Sequence, residues 1–382
     1  MAIYKLYPYK DSTLYSFYPD SNMGLDAIIE TGCPITTELT SGVFRSLLAF
    51  DQTEINSVIQ TKISSSSWQS NLRCYIANAE GINFSNNISI HPISGSWDNG
   101  TGQFGDNPIT TNGTSWIWKN YISGSKWETS SFAAYVTASF LTSNKGGGVW
   151  YTGSSNTALN FSPTQSFDIR SDKDLNVNVT DIVKAWYSSS NSVGADTNIV
   201  NDGFIIKFPY TLEFASSESI QPDLKYFSID THTIYPPELE FKWRDYTLNT
   251  GSSTQTIVTT AQMYASVTEN PGFFYPDSIN KFRINCRPQY PTRTYQTSSI
   301  YVNNYYLPTA SYYAIKDLDT NEYVIDFDTN YTQISADSNS SYFNIYMNGL
   351  QPERYYKILI KTTIDSNTII LDDHYYFKII NG

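Results

Sequence analysis

The chain has 382 residues, a length that predicts two or three domains, and 36 acidic against 24 basic side chains give it a net charge of −12. Nucleic acids and anionic membranes are bound through clustered lysine and arginine; the sequence has no basic run, so we expect neither partner. Aromatic residues make up 15% of the chain and charged residues only 16%, which favours a strand-rich fold with a packed core over disorder.

The first half of the chain alternates between apolar and polar residues in the manner of β-strands. A turn rich in Pro, Asn and Gly is predicted at 18–24, and residues 132–140 predict a strand or a short helix. The clearest helix signal covers 180–188, where Thr180 or Asp181 can cap an apolar face. The remaining predicted strands are 3–7, 12–17, 43–50, 58–64, 72–77, 87–93, 204–208 and 239–243.

The second half repeats the strand pattern after a break. Residues 246–256 are polar and lack any period, so we place a linker there between a domain at 1–245 and a domain at 257–382. Successive strands without helices are typical of an immunoglobulin- or fibronectin-like β-sandwich. The strands predicted in this domain are 281–288, 312–318, 322–327, 341–347, 355–364 and 375–380.

Four segments of the first domain occur in a characteristic order. They are 11–24 (DSTLYSFYPDSNMG), 45–51 (RSLLAFD), 179–186 (VTDIVKAW) followed by 201–204 (NDGF), and 227–228 (FS) with 235–241 (YPPELEF). Over about 240 residues this order resembles the DNRLRE-type domain, a β-sandwich related to carbohydrate-binding modules. The resemblance implies an all-β protein in which a jelly-roll-like β-sandwich precedes the immunoglobulin- or fibronectin-like one.

Three further segments look like parts of tailed-bacteriophage structural proteins: 97–102 (WDNGTG), 112–116 (NGTSW) and 349–356 (GLQPERYY). That resemblance implies a non-enzymatic virion protein of the tail, neck or head accessories, which assembles with other virion proteins and with copies of itself. The opening MAIYKLYPYK does not read as a signal peptide, so we expect synthesis in the host bacterial cytoplasm and release in the virion. An adhesion module that binds host surface glycans is the alternative function.

The irregular stretch 95–120 and its surroundings hold the candidate ligand-binding residues Trp97, Trp116, Trp118 and Trp127. An exposed aromatic platform stacks on sugars and also anchors protein interfaces, whereas the alternative is a small core formed by the loop itself. A calcium ion is the candidate cofactor, because Asp20, Asn22 and Asp26 place oxygen atoms around a turn. The alternative for these three is hydrogen bonding to backbone N–H groups in turns.

Catalysis is not expected. The three histidines, His91, His232 and His374, have no metal-ligand spacing, and no nucleophile elbow or phosphate-binding loop is present. A glycoside hydrolase with paired carboxylates remains as a third hypothesis.

Adjacent tyrosines are a further feature of the second domain. Neighbouring residues of a strand point to opposite faces, so one tyrosine of each pair should be buried and the other should reach the surface. A tyrosine-rich surface is typical of protein interfaces. The pairs are Tyr305–Tyr306, Tyr312–Tyr313, Tyr355–Tyr356 and Tyr375–Tyr376.

Overall fold

A computed structural model of the chain shows a protein built almost entirely from strands. Strands account for 45% of the chain and helices for 9%, so the predicted all-β class is confirmed. Within the part of the chain that the structure describes, no helix is long and apolar enough to cross a membrane. The described residues are 2–34, 42–65, 67–82, 85–127, 136–139, 146–153, 158–191, 199–214, 221–251, 256–290 and 305–381.

The strands are numbered in chain order. They are β1 Ala2–Leu6, β2 Lys10–Tyr15, β3 Ile28–Gly32, β4 Phe44–Ala49, β5 Trp68–Cys74, β6 Ile76–Glu80, β7 Asn86–Pro92, β8 Trp118–Asn120, β9 Ser125–Lys126, β10 Val136–Ser139, β11 Gly146–Tyr151, β12 Thr164–Phe167, β13 Leu175–Asn178, β14 Phe204–Lys207, β15 Asp223–Phe227, β16 Glu238–Trp243, β17 Thr256–Ile257, β18 Met263–Thr268, β19 Phe273–Phe274, β20 Ile279–Pro288, β21 Tyr305–Tyr306, β22 Ser311–Asp317, β23 Tyr323–Ile325, β24 Ser335–Ala336, β25 Ser341–Tyr346, β26 Tyr355–Ile364 and β27 Asn367–Ile379. The helices are α1 Gln52–Ser57, a π-helical stretch Val58–Lys62, α2 Thr180–Ser190, α3 Tyr210–Glu213 and a 3-10 turn Met347–Gly349.

The chain divides into two compact units and passes between them four times. The large unit is Leu6–Lys62 with Gln69–Glu240, and the small unit is Met1–Lys5 with Ile63–Trp68 and Phe241–Gly382. The small unit thus includes two short segments from the first 70 residues. A division of the chain at one linker would assign both segments to the other domain. The linker at 246–256 itself stays a prediction.

The large unit is organised around an extended antiparallel sheet. Its order is β12-β7-β14-β4-β3-β15-β6, with β2 also paired to β4. The adjacent residues Leu47 and Leu48 of β4 point to opposite faces and are both fully buried, so this central strand is covered on both sides. In a second sheet, β13 pairs with β5.

The small unit is a sandwich of two sheets. One has the order β17-β21-β20-β25-β24, with β18 paired to β20, and the other has the order β19-β27-β26-β22-β23. Aromatic rings fill the space between the sheets. Tyr313 of β22 stacks on Phe343 of β25 with ring centroids 4.3 Å apart, and Phe343 stacks on Phe282 of β20 with ring centroids 5.4 Å apart. The alternating burial of β25, in which every second residue is buried, is what a strand with one face in such a core requires.

One predicted strand is wrong. Residues 58–64 were predicted to form a strand, but the structure shows helix α1 continuing into the π-helical stretch Val58–Lys62. The Asp51 side chain caps the helix, because its Oδ1 accepts hydrogen bonds from the N–H groups of Thr53 at 2.6 Å and Glu54 at 3.1 Å. The buried Ile55 and Val58 are three residues apart, which is the spacing of one helical face.

The predicted helix at 180–188 is confirmed as α2, but its first turn is held differently from the prediction. The residue before the helix is Val179, which has no capping side chain. Asn178 takes over that role, since its Oδ1 accepts hydrogen bonds from the Thr180 N–H and hydroxyl at 3.0 and 2.5 Å. Of the ambiguous segment 132–140, residues Val136–Ser139 form strand β10, and the others lie outside the described residues.

Candidate binding site

Two loops of the large unit are joined by the side chain of one asparagine. Asn22 lies in the turn after β2 and is buried. Its Nδ2 donates hydrogen bonds to the carbonyl oxygens of Asn99 at 2.6 Å and Thr114 at 2.8 Å. Its Oδ1 accepts hydrogen bonds from the N–H groups of Gly102 at 2.8 Å and Gly24 at 3.3 Å. The amide therefore uses both its donors and its acceptor to hold the 95–120 loop against the turn.

Glycines make room for this amide. Gly100 has a positive φ of 78°, and a Cβ atom there would lie 2.2 Å from Asn22 Oδ1. A Cβ atom on Gly24 would lie 2.0 Å from the carbonyl oxygen of Asn99. The backbone must approach this closely on both sides of Asn22, so the glycine-rich character of the loop has a steric cause.

The three residues proposed to bind calcium all make hydrogen bonds to the 95–120 loop. Asp20 Oδ1 accepts a hydrogen bond from the indole N–H of Trp118 at 2.7 Å, and Asp26 Oδ1 accepts one from the N–H of Phe104 at 2.8 Å. In the described ranges, no group of three or more His, Cys, Asp or Glu side chains could hold a metal ion. Asp20, Asn22 and Asp26 thus all make hydrogen bonds that join the turn to the 95–120 loop, and the calcium site stays a prediction.

Three of the four candidate tryptophans are buried, which corrects the expectation of an exposed platform. Trp97 and Trp127 donate their indole N–H groups to the carbonyl oxygens of Asp202 at 2.8 Å and Ser115 at 3.0 Å, and Trp116 packs with both in one apolar cluster. The buried rings, and the hydrogen-bonded indole N–H groups of Trp97 and Trp127, make this the small loop core of the alternative interpretation.

Trp118 alone among the four is partly exposed. The Lys126 ammonium lies 4.4 Å from its ring centroid, and the exposed Tyr121 contacts it edge to face at 5.2 Å. A lysine placed over an indole ring gains a cation–π interaction and covers one face of that ring.

The joined loops form a surface pocket that the sequence did not reveal. It encloses about 170 Å³. Phe104 and Ile109 are both 58% exposed, although they are apolar, and Tyr18 lies 5.8 Å from the Phe104 ring. Two apolar residues in the segment 99–114, whose other residues are Gly, Asn, Asp, Thr, Gln and Pro, are the signal that could have indicated it. The lining residues are Tyr18, Ser21, Met23, Gln103, Phe104, Gly105, Asp106, Ile109 and Thr110.

Two carboxylates hold the pocket wall in shape. Burial raises the pKa of Asp26 to about 6, although the hydrogen bond from the Phe104 N–H opposes this change. Hydrogen bonds from the Gln103 N–H and the Thr110 hydroxyl lower the pKa of Asp106. Asp106 is therefore bound within its own loop, whereas Asp26 and the Gln103 side-chain amide, which donates to the Leu25 carbonyl oxygen, link the turn to the 95–120 loop.

A buried carboxylate lies on the neighbouring strand β2. Asp11 is fully buried, and burial raises its pKa to about 7, with the charges of Asp230 and Asp26 adding to the change. The N–H of Ile229 donates a hydrogen bond to Asp11 Oδ2 at 2.7 Å, and this bond partly opposes the rise in the pKa of Asp11. Because the folded pKa exceeds the unfolded value, the stability due to Asp11 is present at low pH and is lost as the pH rises towards 7 and beyond.

Replacing Asp11 by asparagine should therefore stabilise the protein at alkaline pH. A pKa change of one unit corresponds to about 1.4 kcal/mol, but the new amide N–H groups offset part of the gain, so we expect about 2 kcal/mol at pH 8. At pH 3, where Asp11 is protonated in both the folded and the unfolded state, wild type and Asp11→Asn should unfold alike, and the difference should grow between about pH 4 and pH 7. Urea unfolding at pH 3 and pH 8 measures this; an equal difference at both pH values would contradict the assignment.

A second buried cluster contains charges of both signs. Arg45 of β4 donates from Nε to Glu213 Oε1 at 3.0 Å and from Nη2 to Glu213 Oε2 at 2.7 Å. Lys207 Nζ lies 3.4 Å from the same carboxylate, and burial lowers the pKa of this lysine to about 8. The Arg45 and Glu213 side chains are 0% and 1% exposed, so no substrate reaches them and the cluster is structural.

No protein-family model and no curated protein matches the chain. A DUF4785 family protein from Legionella pneumophila is 9% identical, and the match covers 99% of this chain and 62% of that protein at a TM-score of 0.18. Two structures of Parabacteroides merdae beta-glucuronidase, one with glycerol in its active site, are 10% identical. They match 88% of this chain and 28% and 27% of their own lengths, at a TM-score of 0.17. The chain thus spans less than two thirds of each of these proteins, and TM-scores this low support no functional argument.

Proposed function

We propose that this protein is a non-enzymatic structural protein of a tailed-bacteriophage virion, and that the loop pocket receives an apolar side chain from a neighbouring virion protein. The observation that carries the proposal is the pair of exposed apolar residues, Phe104 and Ile109, beside a small pocket. The loops that hold them are fixed in advance by the hydrogen bonds of Asn22, so little order has to be gained on binding.

The pocket fits a protein side chain better than a sugar. Pockets for drug-sized ligands measure roughly 300–1,000 Å³, and this pocket is smaller. Sugar recognition needs polar groups that are free to bind hydroxyls, whereas the Gln103 side-chain amide and Asp106 Oδ2 already make hydrogen bonds within the loops. Apolar anchors that fill small pockets are typical of the energetic centres of protein interfaces.

The virion assignment itself is supported by the sequence. The three segments similar to phage structural proteins include 97–102 and 112–116, which both belong to the loop region that surrounds the pocket. A tyrosine-rich, lysine-poor composition also suits a protein that covers much of its surface with neighbours.

The test replaces both exposed apolar residues of the pocket by serine. Particles assembled with the Phe104→Ser/Ile109→Ser variant should contain at least about tenfold fewer copies of the protein than particles assembled with wild type, since losing an interface anchor typically removes about 1.4 kcal/mol or more. Quantitative mass spectrometry of purified particles measures the copy number. The matched control is Ile122→Ser, because Ile122 is 77% exposed and lies outside the pocket. Equal copy numbers for wild type, the pocket variant and the Ile122→Ser control would reject the proposal, and so would absence of the wild-type protein from particles.

Carbohydrate binding is the second candidate, and the partly exposed Trp118 beside Tyr121 favours it. A glycan array probed with wild type and with Trp118→Ala distinguishes the two functions. Binding that depends on Trp118 would support an adhesion module, and a blank array would leave protein assembly as the better account.

A further inference from the structure

One face of the small unit carries alternating lysines and tyrosines. Strand β26 buries Tyr356 and Ile358 in the core between the sheets, so Tyr355 and Lys357 point to the opposite face. Tyr355 is 49% exposed and Tyr323 of β23 is 41% exposed. The outward-pointing set, called here the lysine–tyrosine face, is Tyr312, Lys316, Tyr323, Tyr355, Lys357, Lys361, Tyr376 and Lys378.

Strand pairing places these residues side by side. The register puts Tyr312 opposite Lys361, Lys316 opposite both Lys357 and Tyr323, Lys357 opposite Tyr376, and Tyr355 opposite Lys378. Ammonium groups lie near tyrosine rings in three of these pairs, at 5.6 Å for Lys361 over Tyr312, 5.1 Å for Lys316 over Tyr323 and 5.6 Å for Lys378 over Tyr355. The register thus sets lysine stems beside tyrosine rings on this face.

Not all of the positive charge on this face is neutralised by nearby carboxylates. Lys357 pairs with Asp372, and Lys378 pairs with Glu353. Lys316 and Lys361 form no ion pair with any residue that the structure describes.

The negative charge of the chain is concentrated elsewhere. The small unit has 12 Lys and Arg against 13 Asp and Glu, a net charge of −1. The large unit also has 12 basic residues but 23 acidic ones, a net charge of −11. The lysine–tyrosine face is therefore complementary in sign to the large unit of another molecule of the same protein.

We propose that the lysine–tyrosine face binds the acidic large unit of a second copy, head to tail. The tyrosines supply rigid apolar contact area, and the lysines orient the encounter. A contact between two different surfaces of identical molecules generates a ring or an open filament, as a repeating part of a particle requires. The inference rests on the proposed assembly function but uses a surface other than the loop pocket.

The experiment measures self-association of the full chain by sedimentation velocity over a range of concentrations. At about 0.05 M salt the mean mass should rise with concentration, and about 0.5 M salt should reverse this by screening. A Lys316→Glu/Lys361→Glu variant should weaken self-association at least tenfold. The matched control, Lys281→Glu/Arg287→Glu, makes the same charge change at two exposed residues of the other sheet that also lie over tyrosine rings.

Each result decides the question. Weaker association for the face variant alone supports the inference, provided that both variants unfold at the wild-type temperature. Equal effects of both variants, or a wild-type chain that stays monomeric at every concentration and salt, overturns it. The pocket variant Phe104→Ser/Ile109→Ser should self-associate like wild type in this experiment. The lysine–tyrosine face and the loop pocket are thus tested by different variants, so one proposal can fail without the other.

Discussion

A Glu213→Ala variant is expected to have a free energy of unfolding about 3–5 kcal/mol lower than wild type. Glu213 accepts two hydrogen bonds from the guanidinium of Arg45 and lies close to the ammonium of Lys207, and all three side chains are buried. Removing the carboxylate leaves two like charges in the interior without a counter-charge, which destabilises far more than the loss of a surface ion pair. Urea unfolding followed by tryptophan fluorescence measures the change.

The fluorescence signal reports mainly on the large unit, because six of the eight tryptophans belong to it. Glu54→Ala is the matched control, since Glu54 is an exposed carboxylate in the same unit, and its removal should change stability by no more than about 0.5 kcal/mol. The double variant Arg45→Leu/Glu213→Leu should lose less unfolding free energy than the single variants Arg45→Leu and Glu213→Leu lose together. Equal losses for Glu213→Ala and Glu54→Ala would show that the buried cluster is not what holds this region.

An Asn22→Asp variant is expected to be destabilised by about 3 kcal/mol, although the two side chains have nearly the same shape. The Asn22 Nδ2 donates to two backbone carbonyl oxygens, of Asn99 and Thr114. An aspartate would place a buried oxygen against both of them, with no donor to satisfy either one. Urea unfolding, followed by the same tryptophan fluorescence, measures the loss of unfolding free energy relative to wild type.

Asn112→Asp is the control, because Asn112 makes its hydrogen bonds to Thr101 on the outside of the same loop. Added calcium separates the two interpretations of this turn. If Asp20, Asn22 and Asp26 formed a cation site, a further carboxylate would strengthen it, and calcium would restore the stability of Asn22→Asp. We expect no effect of calcium on the unfolding of either variant.

Sequence alternation predicted most of the longer strands of the small unit but missed β18. The predicted strand 355–364 has the bounds of β26, and of the predicted tyrosine pairs, three show a buried second residue, Tyr306, Tyr313 and Tyr356. Alternation succeeds here because each strand has one face in a core and one in water. It failed at 58–64, where the capping of α1 by Asp51, a local hydrogen bond, outweighs an apolar pattern that fits a strand.

The loop site was only partly predictable. The turn at 18–24 and the aromatic loop were both recognised, and so was the possibility that the tryptophans form a core of their own. What joins the two loops is a set of hydrogen bonds from Asn22 to residues about 80 to 90 positions away along the chain, which no local pattern encodes. Partners so distant in sequence become neighbours only through the pairing of the sheets.

The repeated passage of the chain between the units limits how this protein can be divided. Residues 1–5 and 63–68 belong to the small unit, where Ile3 joins the core and the Asn348 amide donates to the Lys5 carbonyl oxygen at 2.6 Å. A chain cut near residue 245 would separate these segments from the rest of the small unit and leave that unit incomplete. Recombination at this point would therefore not transfer the small unit whole.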